Sequence, residues 1–184
     1  QPPQLTVNSP VQDELYTSSS ILMDIDVNEK SNIFYYDNLN GISWKQVCIG
    51  CFEYSMLRTF KEGFNDLTFK ASDVLGNTAY YNVSFYVDSK KPKIRNVEPR
   101  RGFAPDSFKV YFSEKNPKSL KLYYGNYLRG YTEKEVDINE ECYKDKGKYI
   151  CDTNVDVSDY DGQFINYWFN ITDIAGNSDK NKPI

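Results

Sequence analysis

Residues 69–77 read Phe69-Lys70-Ala71-Ser72-Asp73-Val74-Leu75-Gly76-Asn77, and residues 169–177 repeat the pattern as Phe169-Asn170-Ile171-Thr172-Asp173-Ile174-Ala175-Gly176-Asn177. In each copy a strand-like alternation of residues runs into Asp-x-x-Gly-Asn. Glycine adopts a positive φ without steric cost, and Asp and Asn side chains bond nearby backbone, so each motif predicts a tight turn. The predicted turn residues are Asp73, Gly76 and Asn77, then Asp173, Gly176 and Asn177. A repeat at a constant spacing of 100 (69 to 169, 73 to 173) indicates two copies of one module.

The boundary between the copies is predicted at Asp88-Ser89-Lys90-Lys91-Pro92, because charge, Ser and Pro together form a short, extended connector. We therefore expect two domains, residues 1–90 and 91–184. Modules this small are marginal on burial of apolar surface alone, so cross-links would stabilise them. A long strand (79–87) follows Asn77, whereas only residues 178–184 follow Asn177, so we expect the second domain's final strand to be short or truncated.

Short strands separated by turns are predicted along the whole chain, without a sustained helical period or βαβ alternation. Aromatic residues are abundant (Tyr 16, Phe 11, Trp 2), which suits half-buried strands. The predicted fold class is all-β, with two β-sandwich domains in tandem. The predicted strands are residues 5–7, 20–27, 33–36, 44–47, 56–60, 65–72, 79–87, 93–97, 107–112, 120–124, 136–138, 149–157 and 164–172, with turns that include 99–105 and 124–127.

Composition excludes several classes of function. The chain has no histidine, which removes Ser-His and Cys-His triads, His-assisted metalloproteases and most catalytic zinc sites. Its net charge is −4, and the basic residues cluster only between 90 and 101, where they suit a solvated linker, so no nucleic-acid partner is expected. No apolar run approaches the roughly 18 residues that span a bilayer, so this segment is not expected to insert into a membrane. Gln1 is not a natural start, and we expect a piece of a longer protein.

Four cysteines fall two per module: Cys48, Cys51, Cys142 and Cys151. Disulfides are the predicted state, and among three possible pairings the local one, Cys48–Cys51 with Cys142–Cys151, fits independent modules best. The alternatives are a four-cysteine zinc site, which wants two closely spaced pairs, and a redox Cys-x-x-Cys, which wants a helix N-terminus.

Three motifs of the first module follow in order: Gly63-Phe64-Asn65, the turn at residues 73–77, and Asp88-Ser89-Lys90-Lys91-Pro92. This order resembles the tandem immunoglobulin-like repeats of large bacterial and archaeal surface proteins. In the second module the resemblance covers residues 162–177, and Asn181-Lys182-Pro183 replaces the usual ending. The Cys-x-x-Cys and the aromatic content depart from the commonest bacterial pattern and look more archaeal. The resemblance implies immunoglobulin-like sandwiches at a cell surface, but no single function, because such modules serve as stalks, spacers and adhesive tips.

Several residues are candidates for modification or for ligand binding. Asn82 and Asn170 each begin a glycosylation tripeptide. Exposed tyrosines near the predicted turn at 124–127 could contact a glycan or a partner protein. They are Tyr123, Tyr124, Tyr127 and Tyr131. Trp44 and Trp168 could stack on a sugar, although a Trp in such a sandwich is expected in the core.

Carboxylates are the only candidate metal ligands. Asp73 and Asp88 lie where sheet ends and linkers meet, a position that calcium can clamp in surface repeats. The chain has no dense Asp-x-Asp-x-Asp loop, so we expect Asp73 and Asp173 to bond their own turns and expect no cofactor, with calcium as the alternative.

These observations predict a non-catalytic, extracellular segment of a larger cell-surface protein, secreted or membrane-anchored, that acts as a spacer, surface coat or adhesive module. The alternative is a ligand-binding module that recognises a glycan or a partner protein through exposed Tyr and Trp. Paired carboxylates can hydrolyse glycosides, but no particular pair is marked here, so no catalytic residue is assigned.

Overall fold

The structure is a computed structural model that describes residues 1–101 and 106–184. The turn predicted for residues 99–105 therefore lies partly outside the described residues. The chain divides into two compact units, Gln1–Ser89 (unit 1) and Lys90–Ile184 (unit 2). In the part of the chain that the structure describes, no helix is long and apolar enough to cross a membrane.

Unit 1 contains six strands. They are β1 (Leu5–Ser9), β2 (Leu15–Tyr16), β3 (Ser20–Asp37), β4 (Lys45–Thr59), β5 (Gly63–Asp73) and β6 (Thr78–Val87). All neighbours pair antiparallel except β2, which runs parallel to the end of β6. The core lies between two layers and is lined by alternate residues of the long strands, as period-two patterning requires. Its buried side chains are Ile21, Met23, Ile25, Val27, Ile33, Tyr54, Leu67, Phe69, Ala71, Val83, Phe85 and Val87.

Two long strands pass from one layer of unit 1 to the other. Residues 20–27 of β3 pair with β1 and with the second half of β4, whereas residues 31–37 pair with β5 and with the start of β4. The register between β3 and β4 shifts between Asp26 and Ser31 and again on both sides of Ile33, where the two strands change layers. The sequence predicted separate strands at 20–27 and 33–36, and at 44–47 and 56–60. That prediction was wrong, because bulges keep the backbone extended through the polar residues between the apolar segments.

The described residues of unit 2, 90–101 and 106–184, form eight strands and one 3-10 turn at Ser158–Tyr160. The strands are β7 (Lys93–Glu98), β8 (Ser107–Ser113), β9 (Pro117–Asn126), β10 (Gly130–Val136), β11 (Cys142–Asp145), β12 (Lys148–Asn154), β13 (Asn166–Asp173) and β14 (Ser178–Lys180). One sheet has the order β7-β8-β12-β11 and the other β10-β9-β13-β14. In immunoglobulin lettering these are ABED and CFG, with one added strand beside C. The predicted all-β, immunoglobulin-like sandwich is confirmed.

The core of unit 2 lies between these sheets. Its buried side chains are Val97, Phe108, Val110, Phe112, Leu120, Leu122, Val136, Cys151, Val155, Tyr167, Phe169 and Ile171. Three details differ from the prediction. The sequence did not predict β11, and β10 ends where a strand at 136–138 was expected to begin. Asn126 closes β9, so the hairpin turn is at residues 127–129 and not at 124–127.

The final strand of unit 2 is short. β14 covers only Ser178–Lys180, and beyond it the backbone N–H and C=O of Ile184 bond those of Tyr167 at 3.0 and 3.2 Å. Between them the side chain of Asn181 accepts the N–H of Phe169 at 2.7 Å, which bridges the gap in the ladder.

Candidate functional site

The repeated Asp-x-x-Gly-Asn motifs form the same turn in both units. The carboxylate of Asp73 accepts the N–H groups of Leu75 (2.9 Å) and Asn77 (2.8 Å) and the side-chain amide of Asn77 (2.7 Å). Asp173 accepts the corresponding N–H (2.8 Å) and amide (3.0 Å) of Asn177. Gly76 and Gly176 have φ values of 84° and 85°, as such a turn requires.

The carboxylates of Asp73 and Asp173 are therefore occupied by hydrogen bonds within their own turns. The side-chain amide of Asn77 lowers the pKa of Asp73, and backbone N–H groups add to the effect against the opposing cost of burial. Asp88 is buried, and its N–H donates to the carbonyl of Tyr16 at 2.9 Å. Within residues 1–101 and 106–184 no three His, Cys, Asp or Glu side chains gather as a metal site. The expectation of no cofactor, with calcium at Asp73 or Asp88 as the alternative, is not tested by these contacts.

Each unit holds one disulfide, and both are local. Cys48–Cys51 lies on β4 where that strand passes between layers, with a Cα–Cα distance of 6.1 Å. Cys142–Cys151 joins directly opposed residues of β11 and β12, with a Cα–Cα distance of 4.0 Å. All four cysteines of the chain are therefore paired.

Three aromatic side chains meet on the outer face of the β10-β9-β13 sheet. We call them the outer aromatic group: Tyr123, Tyr131 and Trp168. The rings of Tyr123 and Trp168 are directly opposed across β9 and β13 and stack at 5.2 Å with an interplanar angle of 7°. Tyr131 meets the edge of Trp168 at 5.0 Å and is 48% exposed. The group offers a partly solvated aromatic surface with one polar hydroxyl fixed beside it.

Charged residues border the outer aromatic group on one side. Glu133 bonds the hydroxyl of Tyr123 and lies 2.6 Å from the ammonium of Lys121. The bond to Glu133, followed by burial, raises the pKa of Tyr123, while Lys121 and then Tyr123 lower the pKa of Glu133. At neutral pH the group therefore presents a neutral phenol next to an ion pair.

The other two predicted tyrosines do not join this group. Tyr124 lies on the opposite face of β9, packs against the core, and meets Tyr160 at 6.4 Å. Tyr127 is 85% exposed in the turn after β9. Successive strand residues face opposite sides of a sheet, so Tyr123 and Tyr124 could not both line one surface.

A second aromatic group lies on unit 1, on the outer face of its larger layer. Trp44 contacts Tyr36 at 5.6 Å and Tyr80 at 6.2 Å. The ammonium of Lys70 lies 4.6 Å from the ring centroid of Trp44 and 4.5 Å from that of Phe34. This unit 1 aromatic group therefore carries its own cation. This group was not predicted from the sequence. It lies at the place in unit 1 that corresponds to the outer aromatic group, because Tyr36 lies opposite Thr68 as Tyr123 lies opposite Trp168, and residues 68 and 168 are separated by the repeat spacing of 100.

The expectation that the tryptophans lie in the core was wrong. Trp44 is 38% exposed, and neither Trp44 nor Trp168 belongs to a buried cluster. Trp168 lies between the buried residues Tyr167 and Phe169, so strand alternation points it outward. The cores of both units are filled by Phe, Leu, Ile and Val instead.

The two glycosylation tripeptides lie on strands. Asn82 is exposed on β6, and Asn170 is half-buried on β13 between Lys121 and Lys180 of the neighbouring strands. Glycan attachment at either position stays a prediction.

Comparisons with known proteins give distant likeness only. No protein-family model matches the chain, and no curated protein matches its sequence. A tetra-tandem repeat from the extending region of a large adhesion protein is 14% identical over 97% of this chain and 48% of that one, with a TM-score of 0.48. Fibronectin(III)-like modules of Clostridium thermocellum CbhA are 13% identical over 98% of this chain and 90% of theirs (TM-score 0.37). A Bacteroides ovatus SGBP-B in complex with a mixed-linkage heptasaccharide is 14% identical over 98% of this chain and 46% of that one (TM-score 0.36).

The chain thus spans about half of the adhesion-protein repeat, and it spans 20% of an engineered protein that it also matches (11% identity, TM-score 0.39).

Proposed function

We propose that this chain is a non-catalytic, extracellular segment of a larger bacterial or archaeal cell-surface protein, serving as a spacer, surface-coat or adhesive module. The observation that carries the proposal is the pairing of all four cysteines within their own units. Disulfides persist in oxidising compartments and are rare in reducing ones. The carboxylates of the repeated motif are engaged in turns, which is a structural use and not a catalytic one.

Counting free thiols tests the location. The protein is taken from its native source, denatured without reductant, and treated with a thiol reagent. We expect no labelled cysteine, and four after reduction as the matched control. Four labelled cysteines before reduction would contradict an extracellular location.

A second function is favoured by the outer aromatic group: recognition of a glycan or of a partner protein. Tyr and Trp present an apolar face with a polar tip, and stacked rings at a solvated surface suit the faces of sugar rings. Tyr131 is half exposed and Trp168 lies on the solvent side of its strand, so both are accessible within unit 2.

A glycan array compared across matched variants tests this second function. Trp168→Ala and Tyr131→Ala should remove the array signal of the unsubstituted chain, whereas Tyr127→Ala, an exposed tyrosine outside the group, should keep it. Equal signals from all three variants would remove the outer aromatic group as the site. An unsubstituted chain without signal would end the glycan form of the proposal.

A further inference from the structure

The two units differ at one edge of the sandwich. In unit 2, β11 pairs with β12 from Cys142↔Cys151 to Asp145↔Lys148 and closes that edge. In unit 1, residues 53–59 of β4 pair with residues 20–26 of β3 in the way that β12 pairs with β8. Among the described residues, no strand pairs with the other side of β4. Unit 1 therefore has an open strand edge where unit 2 has a fourth strand.

Apolar side chains accompany this open edge. Met56 is 57% exposed although it opposes Met23, which is fully buried, so the open edge leaves one border of the core in contact with solvent. Leu57 is 65% exposed and opposes Leu22, itself 42% exposed, on the outer face. Free backbone groups beside exposed apolar side chains are a template for an added strand.

The outer face beside the edge is acidic. Asp24 and Asp26 lie on β3 opposite Ser55 and Glu53 of β4. The nearest base on the strand, Arg58, faces the other side, where its Nε donates to the hydroxyl of Tyr54 at 2.8 Å. On its inward side an added strand would therefore meet Met56 and Tyr54, with Arg58 bonded to Tyr54. On its outward side it would meet Glu53 of β4, with the carboxylates of Asp24 and Asp26 one strand further into the sheet. Opposite charges across neighbouring strands stabilise the pair, and like charges destabilise it.

We propose that the open edge of β4, residues 53–59, binds an extended segment of a partner protein whose outward side chains are Lys or Arg and whose inward side chains are apolar. A second copy of this chain fits less well, because pairing β4 with itself would bring two sets of the same acids onto one face of a continuous sheet. The proposal does not depend on the outer aromatic group, which lies on the other unit.

A peptide titration of the full chain tests the proposal. The probe is a capped peptide of alternating Lys and Val, and the matched control is an alternating Glu and Val peptide of the same length. We expect the Lys-Val peptide to bind at least about tenfold more tightly at low salt, because the charged positions differ in sign. Amide hydrogen exchange should slow in residues 53–59.

Charge reversal sharpens the test. In the Asp24→Lys/Glu53→Lys variant the preference should pass to the Glu-Val peptide, whereas Tyr143→Lys on the edge strand of unit 2 should leave binding unchanged. Both acids lie on the solvent side of their strands, so the core is untouched. Equal binding of the two peptides, or unchanged exchange at residues 53–59, would overturn the proposal. Concentration-dependent dimers that protect residues 53–59 would instead assign the edge to a second copy.

Discussion

At the scale of single residues, the carboxylates of Asp73 and Asp173 hold the two repeated turns by accepting the N–H groups of Asn77 and Asn177. Asp73, Gly76 and Asn77 were identified because each has a chemistry that few other residues supply: an acceptor for N–H groups, a positive φ and a side-chain amide. The structure gives each of them that role, with matching bonds at Asp173 and Asn177. Strand alternation alone separates Tyr123 from Tyr124, because both lie in the predicted strand 120–124. That Tyr131 shares the face of Tyr123 depends on the register between β9 and β10, which the sequence pattern does not give.

The pKa of Asp73 gives a prediction for acid. A carboxyl whose pKa is lower in the folded chain stabilises the fold above its unfolded pKa, and this stabilisation is lost as the pH falls through the folded pKa. We therefore expect the free energy of unfolding of unit 1 to fall as the pH drops below about 5, and part of this slope to vanish in Asp73→Asn. Denaturant titrations at several pH values measure it, with Asp24→Asn as the control. If the free energy of unfolding of Asp73→Asn fell with pH as steeply as that of the unsubstituted chain, Asp73 would not be a source of the acid sensitivity.

Metal removal gives a second prediction at this scale. The carboxylate of Asp73 already accepts two N–H groups and one side-chain amide, so we expect EDTA to leave the thermal midpoint unchanged. Added calcium should have no effect either. A midpoint that rises with calcium and falls with EDTA, in the unsubstituted chain but not in Asp73→Asn, would establish a calcium site there.

Gly125 lies where the backbone of β10 approaches β9 closely, beside Tyr131 of the outer aromatic group. A Cβ at this residue would lie 2.2 Å from the carbonyl oxygen of Gly130 and 2.9 Å from the Cα of Tyr131. At Gly130, φ is also positive (88°), but a Cβ would meet nothing within 4 Å. We expect Gly125→Ala to destabilise unit 2 more than Gly130→Ala, which should cost about 1 kcal/mol. Chemical denaturation of the two variants compares them, and equal losses would contradict the close approach.

Among the elements, strands with strict alternation were predicted well and their ends were not. In the predicted strand 65–72, polar and apolar side chains alternate from Asp66 to Ser72, and β5 covers the whole strand. β3 and β4 were each divided in the prediction, because polar residues such as Asn28 and Glu29 interrupt the apolar period at the bend. β11 has little apolar content, and what holds it is its pairing to β12 together with the disulfide.

The disulfide of β11 gives a prediction for that element. Closing a loop of about ten residues stabilises a fold by about 2.7 kcal/mol in the chain-entropy treatment, against about 2 kcal/mol for the shorter loop at Cys48–Cys51. We expect Cys142→Ala/Cys151→Ala to lower the free energy of unfolding of unit 2 by at least about 2.7 kcal/mol, because the substitution also removes the buried side chain of Cys151 from the core. The side chains of Lys144, Lys146 and Lys148 are already exposed, so loss of the pairing between β11 and β12 should make the backbone beside them easier for trypsin to cleave. Resistance equal to that of Cys48→Ala/Cys51→Ala would contradict a clamping role.

For the whole molecule, the repeat at a spacing of 100 predicts two modules, and the chain divides into two compact units. Each unit has its own buried cluster, and every residue of each cluster lies inside that unit. The predicted division at residues 90 and 91 stays a prediction about independent folding. The repeat could not reveal that unit 1 lacks the strand equivalent to β11, because the two copies are alike only near the turns.

Separate expression tests that independence. We expect segments 1–89 and 90–184 each to unfold cooperatively, because the core of each unit consists of side chains from that unit alone. Their thermal midpoints should match two transitions of the full chain. Calorimetry of the three samples measures it. A segment that fails to fold alone while the full chain folds would contradict two independent domains.

The passage of β3 through both layers has a mechanical consequence. In unit 2 the corresponding strands, β8 and β9, are joined by a short connection at residues 114–116, whereas in unit 1 one ribbon of 18 residues belongs to both layers. Covalent backbone joins the layers in both units, but in unit 1 that backbone is strand throughout residues 20–37 and is paired in both layers. The layers of unit 1 therefore cannot part until this strand is separated from its neighbours on both sides.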